Sequence, residues 1–239
     1  MASMELEQIR ENIQRIRAEI SASAAKAGRS AEEVTLLAAT KTRSAAEIGA
    51  AVAAGIDAAG ENRVQELRDK LAENVYGSCP LHLIGPLQTN KVKYVVGKTA
   101  MIHSVDSEKL AMAISQQAQK VGCYADVLIE INVGGEASKA GIAPAEAAAF
   151  AQVVANLPAI RLRGLMAIPP AGEEARRYFA GMRAMFESLK RDLPAHFDTL
   201  SMGMSHDYAE AVEEGSTIVR VGTAIFGPRY YPPAGREEK

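Results

Sequence analysis

VTLLAATKTRSAAEIGAAVAA, residues 34–54, contains the unit from which the chain is built. Its first part, 34–40, is apolar and β-branched and reads as a short strand. Ser44 and Glu47 then form a capping box, which opens a helix running to about Ala54. The alternation recurs downstream. A run at 56–60 precedes a helix to about 74, with Asn62 and Gln65 in capping spacing, and a run at 81–85 precedes a helix at 88–96. The run at 101–105 leads through Asp106 as N-cap to a helix ending near 121. The run at 125–133 leads to a helix from Pro144, at an N1-like position, to about 156. After 160–168 comes a long helix with Tyr178, Met182, Met185, Phe186 and Leu189 on one face, and 199–203 is followed by a short helix to 214. The eighth run is TIVRVG, 217–222. Eight β-runs alternating with helices are what a (β/α)8 TIM-type barrel requires, because each parallel neighbour needs a helical crossover. A doubly wound open sheet is the competing architecture, since periodicity does not show closure. Upstream, Leu6, Ile9, Ile13, Ile16 and Ile20 recur at three- and four-residue spacing, giving an amphipathic helix that ends at Gly28. The stripe is too short for a coiled-coil seam and is expected to pack on the barrel.

The bulk composition narrows the class. The chain has 239 residues, 48% hydrophobic and 23% charged, with a formal net charge of −2. That is enough apolar material for a sizeable core, and it excludes a disordered or low-complexity chain. Near-neutral charge supplies no bulk attraction to nucleic acid or anionic lipid, so neither is expected as a partner. Two cysteines, Cys79 and Cys123, suggest neither a disulfide scaffold nor a metal cluster and fit a reducing compartment. Residues 1–10 lack a signal-peptide core, and no window is apolar enough to span a membrane, so cytoplasm is the expected location. The eight units use the chain as one domain, 1–239, with 1–28 packed on it and 230–239 as a loose tail.

In a parallel barrel, functional residues gather at the C-terminal strand ends. Lys41 directly follows the first run. Partial burial there lowers an amine's pKa and allows attack on a carbonyl to give a Schiff base, although a strand-end lysine can also simply reach solvent. Gly222 and Thr223 end the eighth run, where barrels often bind phosphate through backbone amides; a plain glycine turn is the competing reading. Ser205, in the seventh loop, adds a hydroxyl. Arg220 shares a side-chain direction with Gly222 and needs a partner, either a carboxylate such as Glu130 or a polar ligand ring. Asn62 and His82 are further polar residues at strand ends, and His82 reads first as a satisfied core histidine. There is no H-E-x-x-H, phosphate-binding glycine loop or nucleophile elbow, and no metal or catalytic residue is assigned.

Eight segments carry a resemblance: LLAATKT (36–42), GENRVQE (60–66), HLIGPLQTNK (82–91), HSVDS (103–107), INVGGEASKAGI (131–142), LRGLMAIPP (162–170), LSMGMSHD (200–207) and VRVGTAIFG (219–227). In order, and across nearly the whole chain, they resemble the YggS/PROSC family of pyridoxal phosphate (PLP) homeostasis proteins. The resemblance implies a barrel like the N-terminal domain of alanine racemase. It also implies that Lys41 holds PLP as a Schiff base, Ser205, Gly222 and Thr223 hold the phosphate, Arg220 faces the pyridine nitrogen and Asn62 lines the cofactor. An always-protonated arginine leaves that nitrogen unprotonated and weakens the electron sink. Racemases of this fold add a second domain, for which the eight units leave no residues here. The implied function is to bind and deliver PLP, to PLP-dependent apo-enzymes among others, and to influence vitamin B6 and amino-acid pools without robust turnover. The alternatives are a PLP-dependent racemase or decarboxylase, a Schiff-base aldolase acting on a phosphosugar, and a protein-interaction barrel. A monomer is the simpler expectation, although the Leu6–Ile20 stripe would permit a dimer.

Overall fold

In the computed structural model, residues 2–136 and 140–228 are described. Eight parallel strands close on themselves: β1 (Thr35–Ala39), β2 (Ala58–Glu61), β3 (Leu81–Leu83), β4 (Met101–Val105), β5 (Ala125–Ile131), β6 (Ile160–Ala167), β7 (Thr199–Ser201) and β8 (Ile218–Val221). Closure lies between β1 and β8, where Thr35 stands opposite Ile218 and Leu37 opposite Arg220. The barrel is therefore the architecture, and the open sheet is excluded.

The helices are α1 (Ala2–Lys26), α2 (Ala45–Ala53), α3 (Val64–Ala72), α4 (Glu108–Val121), α5 (Ala147–Ala155), α6 (Ala175–Lys190), α7 (Tyr208–Glu213) and α8 (Thr223–Phe226). Where the local signals were strong the helices obey them. Ser44 and Glu47 form both bonds of the capping box on α2. Pro144 opens a 3-10 turn leading into α5, as its fixed φ favours.

Several sequence expectations are corrected. Asn62 does not cap the second helix; α3 begins after Arg63, without any side-chain cap. Ser107, not Asp106, caps α4 through the Leu110 amide. The segment after β3 is a 3-10 helix, Thr89–Tyr94. On α6 the buried face is Phe179, Met182, Phe186 and Leu189, so Phe179 takes the place expected for Tyr178, whose hydroxyl bonds Glu173 at the surface. The C-terminal tail lies outside the described residues.

Apolar side chains pack inside the barrel around Leu37, Ala58, Met101, Leu128, Met166 and Ile218. A larger layer fills the space between strands and helices. The α1 stripe is absorbed by the chain itself: Ile9, Ile13, Ile16 and Ile20 are buried with Leu36, Val212, Val219 and Ile225. Each such burial contributes roughly 1.5–3 kcal/mol, so α1 is part of the barrel's support. It also reaches the far end of β8, because the Asn12 side-chain amide donates to the Ile225 carbonyl of α8 at 2.9 Å. Among the described residues no helix is long and apolar enough to cross a membrane.

Candidate functional site

Lys41 sits half-buried in the turn between β1 and α2. The turn is held by a buried cluster beneath it. Glu61, fully buried at the end of β2, receives three donors on Oε1: Thr40 Oγ1 at 2.7 Å, Lys70 Nζ at 2.8 Å and Tyr76 OH at 2.9 Å. Lys70 also donates to the Thr40 carbonyl at 2.8 Å and to Glu66 at 2.7 Å. Glu66 in turn accepts the Thr42 amide. Thr42 has φ 62°, a left-handed conformation costly for a β-branched residue, which persists only where its surroundings over-determine it. Burial raises the Glu61 pKa against the opposing pull of Lys70 and Thr40, and burial next to Glu61 raises that of Tyr76.

Two neighbouring strands bring the other candidates to the same end. Ala39 pairs with Gly60 across β1 and β2, and Ala38 with Val221 across β1 and β8. Asn62 therefore leaves β2 beside the Lys41 turn on one side, and Gly222 and Thr223 leave β8 beside it on the other. Asn62 is fixed by contact: a Cβ on Gly85 would drive into its backbone. Ser205 reaches across from the β7 loop, its Oγ accepting the Gly222 amide at 3.1 Å and the Ala224 amide at 3.2 Å. The Thr223 side chain is exposed. A Cβ on Gly222 would meet nothing of the chain nearer than 3.4 Å. Packing within the protein therefore leaves room there, and the sequence puts no side chain in it. Amides that converge on Ser205 Oγ, two hydroxyls and room for a small group at a glycine suit a phosphate group.

Arg220 points into the barrel, two residues before Gly222. It is 5% exposed; Nη1 donates to Ser201 Oγ at 2.6 Å and Nη2 to the Ala167 carbonyl at 3.0 Å. No carboxylate is ion-paired with it among the described residues; Glu130 and Asp207 act only through space. The structural partner expected from a strand arginine is thus a hydroxyl and a carbonyl, not Glu130. Burial lowers its pKa to about 10, which still leaves it protonated at neutral pH. Burial and the neighbouring Asp106 raise the Glu130 pKa, and Arg220 opposes them. His82 is indeed a buried histidine with a partner, His103 Nε2, at 2.9 Å.

Lys41, Asn62, Ser205, Gly222 and Thr223 are therefore gathered on adjoining strand ends, with Arg220 inside the barrel below Gly222. The Glu61, Lys70 and Tyr76 cluster was not anticipated. Its one sequence signal is an acidic residue closing an apolar run, AAGE (58–61).

The chain resembles known proteins over nearly its whole length. Residues 4–230 match the family model described as alanine racemase, N-terminal domain. A protein of Escherichia coli named pyridoxal phosphate homeostasis protein is 45% identical, with 93% of this chain and 97% of that protein aligned. A protein of the same name from Aquifex aeolicus is 42% identical over 92% of this chain and 98% of its own. PipY of Synechococcus elongatus, solved with PLP bound, superposes with a TM-score of 0.78 at 34% identity, covering 92% of this chain and 100% of that one. By family model, sequence and fold together, the chain belongs to the alanine racemase N-terminal-domain family and, within it, to the pyridoxal phosphate homeostasis proteins.

Proposed function

We propose that the chain binds PLP at the strand-end cluster, attached through Lys41, and serves PLP and amino-acid homeostasis as a carrier or regulator. The observation that supports it best is the convergence of an amine, a set of anion donors and a buried guanidinium on neighbouring strand ends. Lys41 is the amine for the cofactor's aldehyde. Ser205, Thr223 and the backbone at Gly222 hold the phosphate, the Gly222 and Ala224 amides turning to it from Ser205 Oγ, and Asn62 lines the ring. When bound, the cofactor supplies an aldehyde for condensation with amines and a ring that can withdraw electrons. Arg220 sets how far that withdrawal goes. A guanidinium can only donate, so it keeps the ring nitrogen an acceptor and disfavours carbanion chemistry. This supports a carrier over a racemase or decarboxylase. PLP-dependent apo-enzymes are the natural recipients, and a reducing cytoplasm and a monomeric state are in keeping with the reading.

Two results are expected on titrating the protein with PLP. Ser205→Ala and Thr223→Ala should each weaken binding by about 1–3 kcal/mol, the worth of one hydrogen bond to a charged phosphate; neutral effects would put the phosphate elsewhere. Arg220→Ala should weaken binding and shift the absorbance of the bound cofactor. An unchanged spectrum and affinity would remove Arg220 from the site. Solvent deuterium appearing at Cα of an amino acid in Lys41-dependent turnover would replace the carrier reading with an enzyme.

A further inference from the structure

Arg220 is the upper end of a polar chain that crosses the barrel interior on four strands. From β8 its Nη1 meets Ser201 Oγ of β7 at 2.6 Å, and Ser201 Oγ meets His103 Nδ1 of β4 at 3.1 Å. His103 Nε2 then meets His82 Nδ1 of β3 at 2.9 Å. Ser201 and His103 are completely buried, and His82 is 6% exposed. At its lower end His82 lines a cavity of about 640 Å3 at the N-terminal mouth of the barrel, together with Arg29, Asp57 and Arg163.

The direction of every proton follows from the donor inventory. Arginine donates only, so Ser201 Oγ accepts from it. The Ser201 hydroxyl proton then has one acceptor among the described residues, His103 Nδ1. Nδ1 is therefore unprotonated, the proton of a neutral His103 sits on Nε2, and it is given to His82 Nδ1. The His82 proton is left on Nε2, at the cavity. The reverse arrangement would have His103 donate to Ser201 and leave a buried hydroxyl proton with no acceptor, a cost of roughly the size of a lost hydrogen bond. A doubly protonated His82 would set its Nδ1–H against the His103 Nε2–H, and a doubly protonated His103 would likewise strand the Ser201 hydroxyl proton.

We infer that His103 is a positioning residue for Arg220, acting through a one-directional chain from Arg220 through Ser201 and His103 to His82, with both histidines as neutral Nε2–H tautomers. The inference rests on Arg220 serving the cofactor ring, as proposed above. Burial supports it: the His82 pKa is lowered to about 4 despite the pull of Asp126 on β5, and that of His103 is held well below the usual imidazole range by burial, His82 and Arg220. The chain is accordingly expected to stay intact across the neutral range.

The test has two arms. In the first, the PLP-free wild-type protein is labelled with 15N-histidine and followed by long-range proton–nitrogen correlation between pH 6 and 8. His82 and His103 should both show an unprotonated Nδ1 and a protonated Nε2 throughout. An Nδ1–H tautomer at either residue, or titration of either ring in that window, would overturn the chain whatever the fate of PLP. In the second arm, His103→Phe is loaded with PLP. Expected are an altered absorbance of the bound cofactor and affinity lower by roughly 3- to 30-fold, with attachment to Lys41 retained and partial rescue in His103→Gln, which keeps an acceptor for Ser201. An unchanged spectrum and affinity in His103→Phe would overturn the positioning role. Wild-type protein that shows the histidine pattern but takes up no PLP would instead sink the cofactor reading and leave the chain standing.

Discussion

Replacing Lys41 with alanine is expected to abolish covalent attachment of PLP completely while leaving the fold intact. The side chain lies in a turn, half-buried, and the cluster beneath this turn holds Thr40 by its carbonyl and hydroxyl and Thr42 by its amide, all of which alanine at 41 leaves in place. Alanine therefore removes the nucleophile without removing its support. Noncovalent PLP should still bind, weakly, because Ser205, the Gly222 amide and Arg220 are untouched. The measurement is a PLP titration read by absorbance and by intact mass after borohydride reduction. Wild type should gain one pyridoxyl group and Lys41→Ala none. A second lysine carrying the adduct in the variant with wild-type affinity would show that the site had been placed on the wrong amine.

Glu61→Ala should be the most destabilising single change at the site, by about 3–5 kcal/mol. Three donors converge on one oxygen of Glu61, and one of them is the Lys70 ammonium, whose side chain is 12% exposed. Truncation strands the Tyr76 hydroxyl, leaves the Thr40 hydroxyl only the Gly60 carbonyl at 3.2 Å, and removes the buried partner of a largely buried cation. Glu66 and the Thr40 carbonyl still accept from Lys70, which places the expected value toward the lower end. Urea unfolding measures it directly through the midpoint. The pair Glu61→Leu with Lys70→Met should recover part of the loss, because apolar replacement of both partners removes the stranded charge. A Glu61→Ala loss below about 1 kcal/mol would mean the cluster is not holding the turn. In the variant, Thr42 should also leave its left-handed conformation and its amide should exchange faster.

What could be read from the sequence was what is local. The Ser44–Glu47 capping box acts within one turn of helix, and it forms as written. The α1 isoleucines follow a helical period, and they are buried as that period implies. Signals that compete over one or two residues were misread. Asp106 and Ser107 can both cap α4, and the structure uses the second; Asn62 has a capping side chain, but its backbone is fixed against Gly85 and the helix starts later. Tyr178 and Phe179 differ by 100° around α6, and the hydroxyl goes to solvent.

The candidate site was legible because barrel closure is a simple rule that places strand ends together, so Lys41, Asn62 and Gly222 become neighbours once β1 is known to pair with β2 and β8. The two buried polar networks were not legible. Glu61 gathers Thr40, Lys70 and Tyr76 from three separate places, the turn after β1, α3 and the segment that follows α3, and Ser201 lies 98 residues from His103. No periodicity or spacing encodes such contacts, since they exist only after the sheet closes.

The carrier reading depends on one covalent fact, which a single experiment reaches: reduction of the PLP-loaded protein with borohydride, proteolysis and mass mapping of the pyridoxyl group. The account predicts one modified peptide, carrying the adduct on Lys41. A pyridoxyl group elsewhere, or a protein that stays colourless and unmodified with excess PLP, would contradict it.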